Sequence, residues 1–460
     1  MEENRENIEV KDVIKVNNEL HDNISFLIKE KSSESLLNLF FDLHSADIAE
    51  IINRLNYEDA EYTFSLLGIE IASEVIIELD ENLREKILQN IDTERISIIV
   101  DELDTDDATD IIGDLPKEIA TEVLKNIDVE DSKEVKKLLK YDEESAGGIM
   151  SRDYVSVKDY DTLRAAIREV RKNADDFDHI YQIYVVKDNN ELVGIVSIKS
   201  LLTNPLRTSI TSVMKEDLIY VTTDIDQEEV ANIMQKYNLV AIPVVDENKK
   251  MLGRITIDDI VDVMQEEAEE DIQKLVGLSE EQESSDSIFR ISRIRLPWLI
   301  IALAIEMIGV LLLSKYQIVL EKLTIAAFFF PVLMAMGGSS GNQAAIVMVK
   351  GLGSGDMWLK EIFKKLSKEL FVAMTNGITI ATILFSFTYF FFDDTSFLLV
   401  LAVSQTFIIV FATMLGATIP IVLKKLKIDP AVATGPFVSS MNDVLGLLIY
   451  MTFVTLFLIL

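Results

Sequence analysis

The chain has 460 residues and a formal net charge of −34, and the acidic excess lies in its first 289 residues. Those residues carry 68 acidic and 30 basic side chains, whereas the remainder carries 9 acidic and 13 basic ones. Such a surface repels nucleic acid and anionic lipid and attracts divalent cations, although a plain solubilising surface is the alternative. The absence of cysteine excludes disulfides and thiolate chemistry, and three scattered histidines offer no zinc site.

Residues 33–135, which follow an N-terminal segment 1–32, have the pattern of short amphipathic helices. Stretches such as LHSADIAEIINRL and LDTDDATDIIGDLP place apolar residues at i, i+3 and i+4, with Asp or Ser at the expected N-caps. The pattern predicts an all-α superhelical domain. Asp106 and Asp110 are four residues apart and share one face of their helix.

An internal repeat follows, with its first copy in 136–202 and its second in 203–265. Each copy has a helix with apolar 3–4 spacing, a β-branched strand, a polar turn and a second strand. YQIYVVKDNNELVGIVSI in the first copy corresponds to VAIPVVDENKKMLGRITI in the second. The repeat resembles a tandem pair of CBS domains, an α/β Bateman module that binds adenine nucleotides.

In such modules an Asp three residues after a Thr or Ser holds the ribose, in a G-h-x-[ST]-x-x-D turn. The second copy has this turn in Gly253, Thr256 and Asp259, whereas the first copy has Ser200 in place of the Asp. The resemblance therefore implies one site for ATP or another adenine nucleotide. A purely structural dimerisation module is the alternative.

The stretch 258–275 (DDIVDVMQEEAEEDIQKL) is predicted to form a helix rich in carboxylates. Its second half belongs to a connecting segment, 266–295, that leads out of the repeat. Carboxylates at i, i+3 and i+4 repel each other by a few tenths of a kcal/mol per pair, and a divalent ion between them would relieve this repulsion. A solvated acidic face is the alternative. A Ser- and Glu-rich turn, LSEEQESSDS, then leads to the membrane part.

The membrane part, 296–460, contains segments long enough to cross about 30 Å of hydrocarbon as helices. The predicted spans are 296–314, 323–349, 371–392, 397–422 and 431–459. Eleven Lys and Arg flank one side of these spans and two flank the other, which puts the N-terminal part in the cytoplasm and the C-terminus outside. The amphipathic stretch 357–370 is expected to lie along the cytoplasmic interface.

Two spans are unusually polar. MGGSSGNQAA in the second contains glycines that permit close helix approach or an unwound backbone. In the fifth, Pro436 inside the predicted helix would free a carbonyl one turn earlier. Ser439 and Asp443 then lie on one face, with Gly435 one turn away.

Asp443 has no basic residue within the spans to pair with. Because a carboxylate at membrane depth costs about 2.5–3.5 kcal/mol on insertion scales, an unpaired one indicates a functional site. Glu306 is the other acidic residue well inside a span. It is either a second functional group or a hydrogen-bonding partner for a neighbouring helix.

The order of these parts, and several motifs, make the whole chain similar to the MgtE family of magnesium channels. The motifs are YDEESAGGIM, IYQIYVV, TDIDQEEVA, IPVVDE, GGSSGNQ, KIDPA and GPFVSSMNDVLGLLIY. The resemblance implies a homodimeric, Mg²⁺-selective channel rather than an enzyme, in the lipid bilayer of a bacterial cytoplasmic membrane. Asp443 falls on the family's pore carboxylate, and Asn342, Gly435 and Ser439 fall near the same path.

The resemblance also implies regulatory Mg²⁺ sites at domain interfaces, with the connecting helix plugging the pore when cytoplasmic Mg²⁺ is high. The positions on or near such sites are Asp106, Asp110, Asp259, Asp262, Glu267, Glu270, Asp271 and Asp429. Two alternatives differ from a channel. One is a carrier in which Glu306 and Asp443 relay protons against a metal ion, and the other is a membrane-anchored nucleotide sensor that moves no ion.

Overall fold

The computed structural model describes residues 18–174, 177, 179–275, 288–353, 359–430 and 435–459. Within it, the chain forms two compact units, Met1–Met264 and Gln265–Leu460. The predicted LSEEQESSDS turn lies outside the described residues.

The first unit begins with a run of short helices, as predicted. Their bounds are α1 Asn18–Lys29, α2 Ser33–Phe41, α3 Ser45–Asn53, α4 Tyr57–Leu66, α5 Ile69–Ile77, α6 Glu81–Asn90, α7 Thr93–Asp101, α8 Thr105–Asp114, α9 Lys117–Asn126 and α10 Val129–Leu138. From α2 to α10, each helix begins twelve residues after the one before it. Side chains such as those of Asn56 and Asp92 accept hydrogen bonds from backbone N–H groups at the helix starts. Their apolar faces share one core from Ile24 to Val135.

The repeat forms two small sheets with the same topology. The first contains β1 Ser156–Lys158, β2 Gln182–Val186 and β3 Leu192–Ser197, with helices α11 Leu163–Lys172 and α12 Ile198–Thr203. The second contains β4 Val221–Thr222, β5 Ala241–Val245 and β6 Met251–Thr256, with α13 Gln227–Tyr237. In each sheet the first two strands are parallel and the last two are antiparallel. The predicted tandem module is therefore confirmed.

The helix α14, Ile257–Leu275, continues from β6 and is shared by the two units. The remaining helices are α15 Ile288–Ser314, α16 Gln317–Lys322, α17 Phe330–Gly353, α18 Leu359–Tyr389, α19 Thr395–Lys425 and α20 Pro436–Val454. Among the described residues, five helical stretches are long and apolar enough to cross a membrane, which confirms the predicted number of spans.

Two details of the predicted spans differ in the structure. The amphipathic stretch, expected along the cytoplasmic interface, is described from Leu359 and belongs to α18, which runs without a break from Leu359 to Tyr389. The sequence contains no Pro or Gly from Leu359 to Asn376, so no helix-breaking residue separates the amphipathic stretch from the apolar span that follows it. Pro436 does not interrupt the fifth span either. It is the first residue of α20, where the missing proline N–H costs no helical hydrogen bond.

Gly341 of α17 serves close helix packing. The backbone stays helical from Phe330 to Gly353, so the alternative of an unwound segment is excluded. A Cβ on Gly416 of α19 would lie 2.1 Å from the Gly341 carbonyl oxygen, and a Cβ on Gly341 would lie 2.1 Å from Asn442 Nδ2. Helices α17, α19 and α20 therefore meet at a point where only glycine fits.

We predict that Gly416→Ala destabilises the membrane unit, because its methyl group would overlap backbone rather than a movable side chain. Overpacking of this kind costs about 1–3 kcal/mol. Gly338→Ala is the matched control, since no atom lies within 4 Å of its added Cβ. The measurement is the thermal midpoint of the detergent-solubilised protein. Equal midpoints for the two variants would contradict the close packing.

Candidate cation sites

One polar site lies between two membrane helices. Asn342 Nδ2 on α17 donates a 2.9 Å hydrogen bond to Ser439 Oγ on α20, and Asn342 Oδ1 is buried without a hydrogen-bond partner among the described residues. Ser439 N in turn donates to the carbonyl of Gly435, the N-cap of α20, at 3.3 Å. Asp443 lies one turn further along α20. The structure thus brings Asn342 and Ser439 together, one helical turn from Asp443.

Asp443 also has a close neighbour that could not be identified from the sequence. The carboxyl group of Glu306 on α15 lies within hydrogen-bonding distance of the Asp443 carboxyl group. This neighbour is acidic, so it does not form a salt bridge with Asp443. Gly309, one turn along α15, allows this approach, because a Cβ there would lie 3.2 Å from Val444 Cγ2.

A second group of carboxylates lies where α8 meets the loop before β1. Oxygens of Asp104, Asp106 and Asp153 lie within 4.8 Å of one another, and Asp106 Oδ1 is buried without a hydrogen-bond partner among the described residues. Asp153 Oδ2 accepts hydrogen bonds from Thr105 N at 2.8 Å and from Ser151 Oγ at 3.1 Å. The N-terminus of α8 is thereby tied to the repeat module.

The electrostatics of this group show an excess of negative charge. Burial raises the pKa of the Asp106 carboxyl group well above its usual range, and the Asp259 carboxylate raises that pKa further. Burial, followed by Asp259, raises the pKa of Asp107 to about 7. Burial also raises the pKa of Asp259, while hydrogen bonds from Thr256 lower it. Carboxylate oxygens are the ligands that Mg²⁺ prefers, so the group fits a divalent cation.

We call these side chains, Asp104, Asp106, Asp107, Asp153 and Asp259, the α8 cluster. Sequence reasoning found Asp106 and Asp259 but missed the other three. Asp104 and Asp107 belong to the same LDTDDATD run, whereas nothing in the sequence places Asp153 beside them.

The other predicted regulatory positions of the first unit lie outside the α8 cluster. Asp110 is exposed and contributes to the field that raises the pKa of Asp107. Asp262 lies near Glu78. Burial raises the pKa of the Glu78 carboxyl group, and the negative charge of Asp262 raises it further.

A third group surrounds Lys274 near the end of α14. Lys274 Nζ lies 2.5 Å from Glu270 Oε1 and 2.7 Å from Asp429 Oδ2, so a cation already links two predicted regulatory carboxylates. Burial and then Asp429 raise the pKa of Asp271. Glu267 is half-buried on the same helix. Sequence reasoning missed Lys274, although its spacing of four from Glu270 is the signal for a helical ion pair.

The turn formed by Gly253, Thr256 and Asp259 contains two internal hydrogen bonds. Thr256 N and Thr256 Oγ1 donate to Asp259 Oδ2 at 3.1 and 2.8 Å. Gly253 packs against the backbone of the same chain, because a Cβ there would lie 2.6 Å from the Ser151 carbonyl oxygen. In the first copy, Ser197 Oγ and Ser200 Oγ are 2.9 Å apart in the corresponding turn. Asp259 therefore belongs both to this turn and to the α8 cluster.

We predict that, without divalent cations, the α8 region loosens as the pH rises. The folded-state pKa of Asp107 is about 7, above the ordinary Asp value of about 3.9. The folded state therefore binds more protons between these values, and the stability that this proton provides is lost as the pH rises through about 7. In EDTA, hydrogen exchange of α8 amides, corrected for intrinsic rates, should be faster at pH 8 than at pH 5.

Saturating Mg²⁺ should slow this exchange at pH 8, and Asp107→Asn should weaken the pH dependence. Equal protection of α8 at the two pH values in EDTA would contradict the raised pKa values.

Comparisons with known proteins agree with this architecture. A family model described as a divalent cation transporter, MgtE, matches residues 330–453, and the MgtE intracellular N domain matches 43–144. CBS domain models match 146–206 and 210–266. The magnesium transporter MgtE of Thermus thermophilus is 37% identical over 320 residues, which cover 68% of this chain and 70% of that protein.

The magnesium transporter MgtE of Bacillus subtilis is 32% identical over 321 residues, which cover 70% of this chain and 71% of that protein. A crystal structure of the cytosolic domain of the Mg²⁺ channel MgtE in complex with ATP matches with 31% identity and a TM-score of 0.50. It covers 53% of this chain and 100% of that chain. With its helical N domain, its tandem CBS domains and its apolar helices in the family's order, the chain belongs to the MgtE family of magnesium transporters.

Proposed function

We propose that this family member is a Mg²⁺-selective channel whose ion path passes Asp443. The observation that carries the proposal is the polar contact between Asn342 and Ser439, one turn from Asp443 within otherwise apolar helices. Membership in a family of magnesium transporters argues against a nucleotide sensor that moves no ion. The charge flanking the spans supports a cytoplasmic N-terminus and an external C-terminus.

The chemistry of this path suits a hydrated magnesium ion. Mg²⁺ gives up water reluctantly and is usually bound by one or two carboxylates together with several waters. Asp443, the Ser439 hydroxyl and Asn342 Oδ1, which has no hydrogen-bond partner in the described part of the chain, supply a carboxylate and two neutral oxygens for such waters. Negative charge within a low-dielectric wall also excludes anions.

A second copy of the chain would complete the wall of the path. Asp443 is half-buried and Glu306 is exposed on the five-helix unit of one chain. Carboxyl groups at this depth cannot face hydrocarbon at acceptable cost, so they require protein or a water-filled path beside them. A homodimer with the path between its subunits meets this requirement.

For regulation, we propose that cytoplasmic Mg²⁺ binds the α8 cluster and the carboxylates near Asp429. Without the ion, the buried carboxylates repel each other and favour a looser arrangement. Because the ion binds the compact arrangement more tightly, it shifts the population towards that state. The helix α14 belongs to both units and would carry the change to the membrane unit.

The CBS module is proposed to bind ATP or another adenine nucleotide. The support is the related cytosolic domain solved in complex with ATP, together with the Thr256–Asp259 turn found here. Since Asp259 also belongs to the α8 cluster, nucleotide binding and cation binding would share one carboxylate.

A proton-coupled carrier is the second candidate, and the contact between Glu306 and Asp443 favours it. Adjacent carboxyl groups at membrane depth are the usual components of proton relays. The two candidates differ in driving force. A channel follows the electrochemical gradient of Mg²⁺ alone, whereas a carrier also follows the proton gradient.

We predict that Asp443→Asn lowers Mg²⁺ flux into liposomes by about tenfold or more, because it removes the charge that attracts the cation. The matched control is Asp393→Asn, which removes an exposed carboxylate in the turn between α18 and α19. Flux is measured with a Mg²⁺-sensitive dye inside the liposomes. Undiminished flux in Asp443→Asn would remove Asp443 from the path. Flux that an imposed pH gradient reverses would favour the carrier.

A further inference from the structure

Glu306 carries a carboxyl group at membrane depth and is not among the groups assigned to the proposed ion path, which are Asp443, Ser439 and Asn342. It lies in the middle of α15, Ile288–Ser314, in a run that contains no Lys or Arg after Arg295. Its side chain is exposed on the five-helix unit of a single chain. An exposed Glu in hydrocarbon is costly, so its position requires a polar or ionic environment.

The packing of α15 against α20 directs this carboxyl group to Asp443. Glu306 and Asp443 are within hydrogen-bonding distance, and the approach depends on the small residue Gly309. Helix α20 contains no Lys or Arg, so neither helix supplies a neutralising side chain near the pair. The same face of α20 continues to Ser439, whose hydroxyl is bonded to Asn342.

We propose that Glu306 is a specificity-determining residue of the ion path. Together with Asp443 it offers a passing divalent cation two carboxylates from one chain, so that protein oxygens replace part of the water shell. The inference rests on the proposed channel function and concerns the choice among ions. One carboxylate suits an ion that keeps its waters, whereas two adjacent carboxylates suit direct coordination.

Direct coordination changes which ions compete with Mg²⁺. Ca²⁺ accepts six to eight oxygen ligands in flexible geometry, whereas Mg²⁺ demands near-ideal octahedral geometry and keeps its waters. A pair of carboxylates therefore increases Ca²⁺ binding more than Mg²⁺ binding. Cobalt(III) hexaammine has ligands that do not exchange, so it responds to the charge of the site but not to direct coordination.

The test is inhibition of Mg²⁺ flux into liposomes by external Ca²⁺ and by cobalt(III) hexaammine. In Glu306→Gln, the half-inhibitory Ca²⁺ concentration should rise by about tenfold or more relative to the wild type. The half-inhibitory concentration of hexaammine should also rise in this variant, because the trivalent complex responds to the lost charge. Glu321→Gln, which removes an exposed carboxylate outside the spans, is the matched control and should change neither value.

Glu306→Asp keeps the charge but withdraws the carboxyl group by one methylene. It should weaken Ca²⁺ inhibition while leaving hexaammine inhibition unchanged, and it provides the test if Glu306→Gln does not assemble. Equal shifts for the two inhibitors in Glu306→Asp, or no shift of Ca²⁺ inhibition in either variant, would overturn the role of Glu306 as a ligand. Failure of the channel itself would appear separately, as a wild type without Mg²⁺ flux or an Asp443→Asn variant with undiminished flux.

Discussion

Repulsion between carboxyl groups that lie close together recurs in both units of this chain. In the first unit, the α8 cluster gathers five aspartates from the helical domain and the CBS module, and burial strengthens their repulsion. In the membrane unit, Glu306 and Asp443 meet where α15, after Arg295, and α20 contain no Lys or Arg. A proton or a metal ion would relieve the repulsion in each arrangement. The proposed cation sites are therefore places where the fold already holds carboxyl groups close together.

In the group near the end of α14, a basic side chain of the protein itself reduces the repulsion between the carboxylates. Lys274 bonds to Glu270 and Asp429, so part of the positive charge is built into the chain. Burial lowers the pKa of Lys274, but its bonds to these two carboxylates outweigh that effect and raise it. Regulatory Mg²⁺ at this place would therefore compete with an internal cation, whereas at the α8 cluster it would meet several buried carboxyl groups whose pKa values are raised. Under the proposed regulation, the α8 cluster would be the stronger sensor of Mg²⁺.

Sequence reasoning succeeded where a signal is local. Helical spacing placed Ser439 and Asp443 on one face, capping residues marked the short helices, and the same order of helix, strand, turn and strand in two copies revealed the repeat. It failed where contacts join distant segments, because nothing local places Asp153 beside Asp106 or Glu306 beside Asp443. Pro436 is the first residue of α20 and not an interruption inside it. The sequence cannot distinguish these two cases, because a proline in an apolar run either kinks a helix or starts one. The twelve-residue period of α2–α10 is visible in the sequence but was overlooked.

The central claim is that Mg²⁺ bound at the α8 cluster closes the path. The direct measurement is Mg²⁺ flux in liposomes as a function of the Mg²⁺ concentration on the side of the soluble unit, for wild type, Asp106→Asn and the exposed-site control Glu122→Gln. The account predicts that Mg²⁺ suppresses flux in the wild type and the control. Asp106→Asn, which removes one carboxylate of the cluster, should need about tenfold more Mg²⁺ for the same suppression. Identical suppression in Asp106→Asn and the wild type would contradict the account.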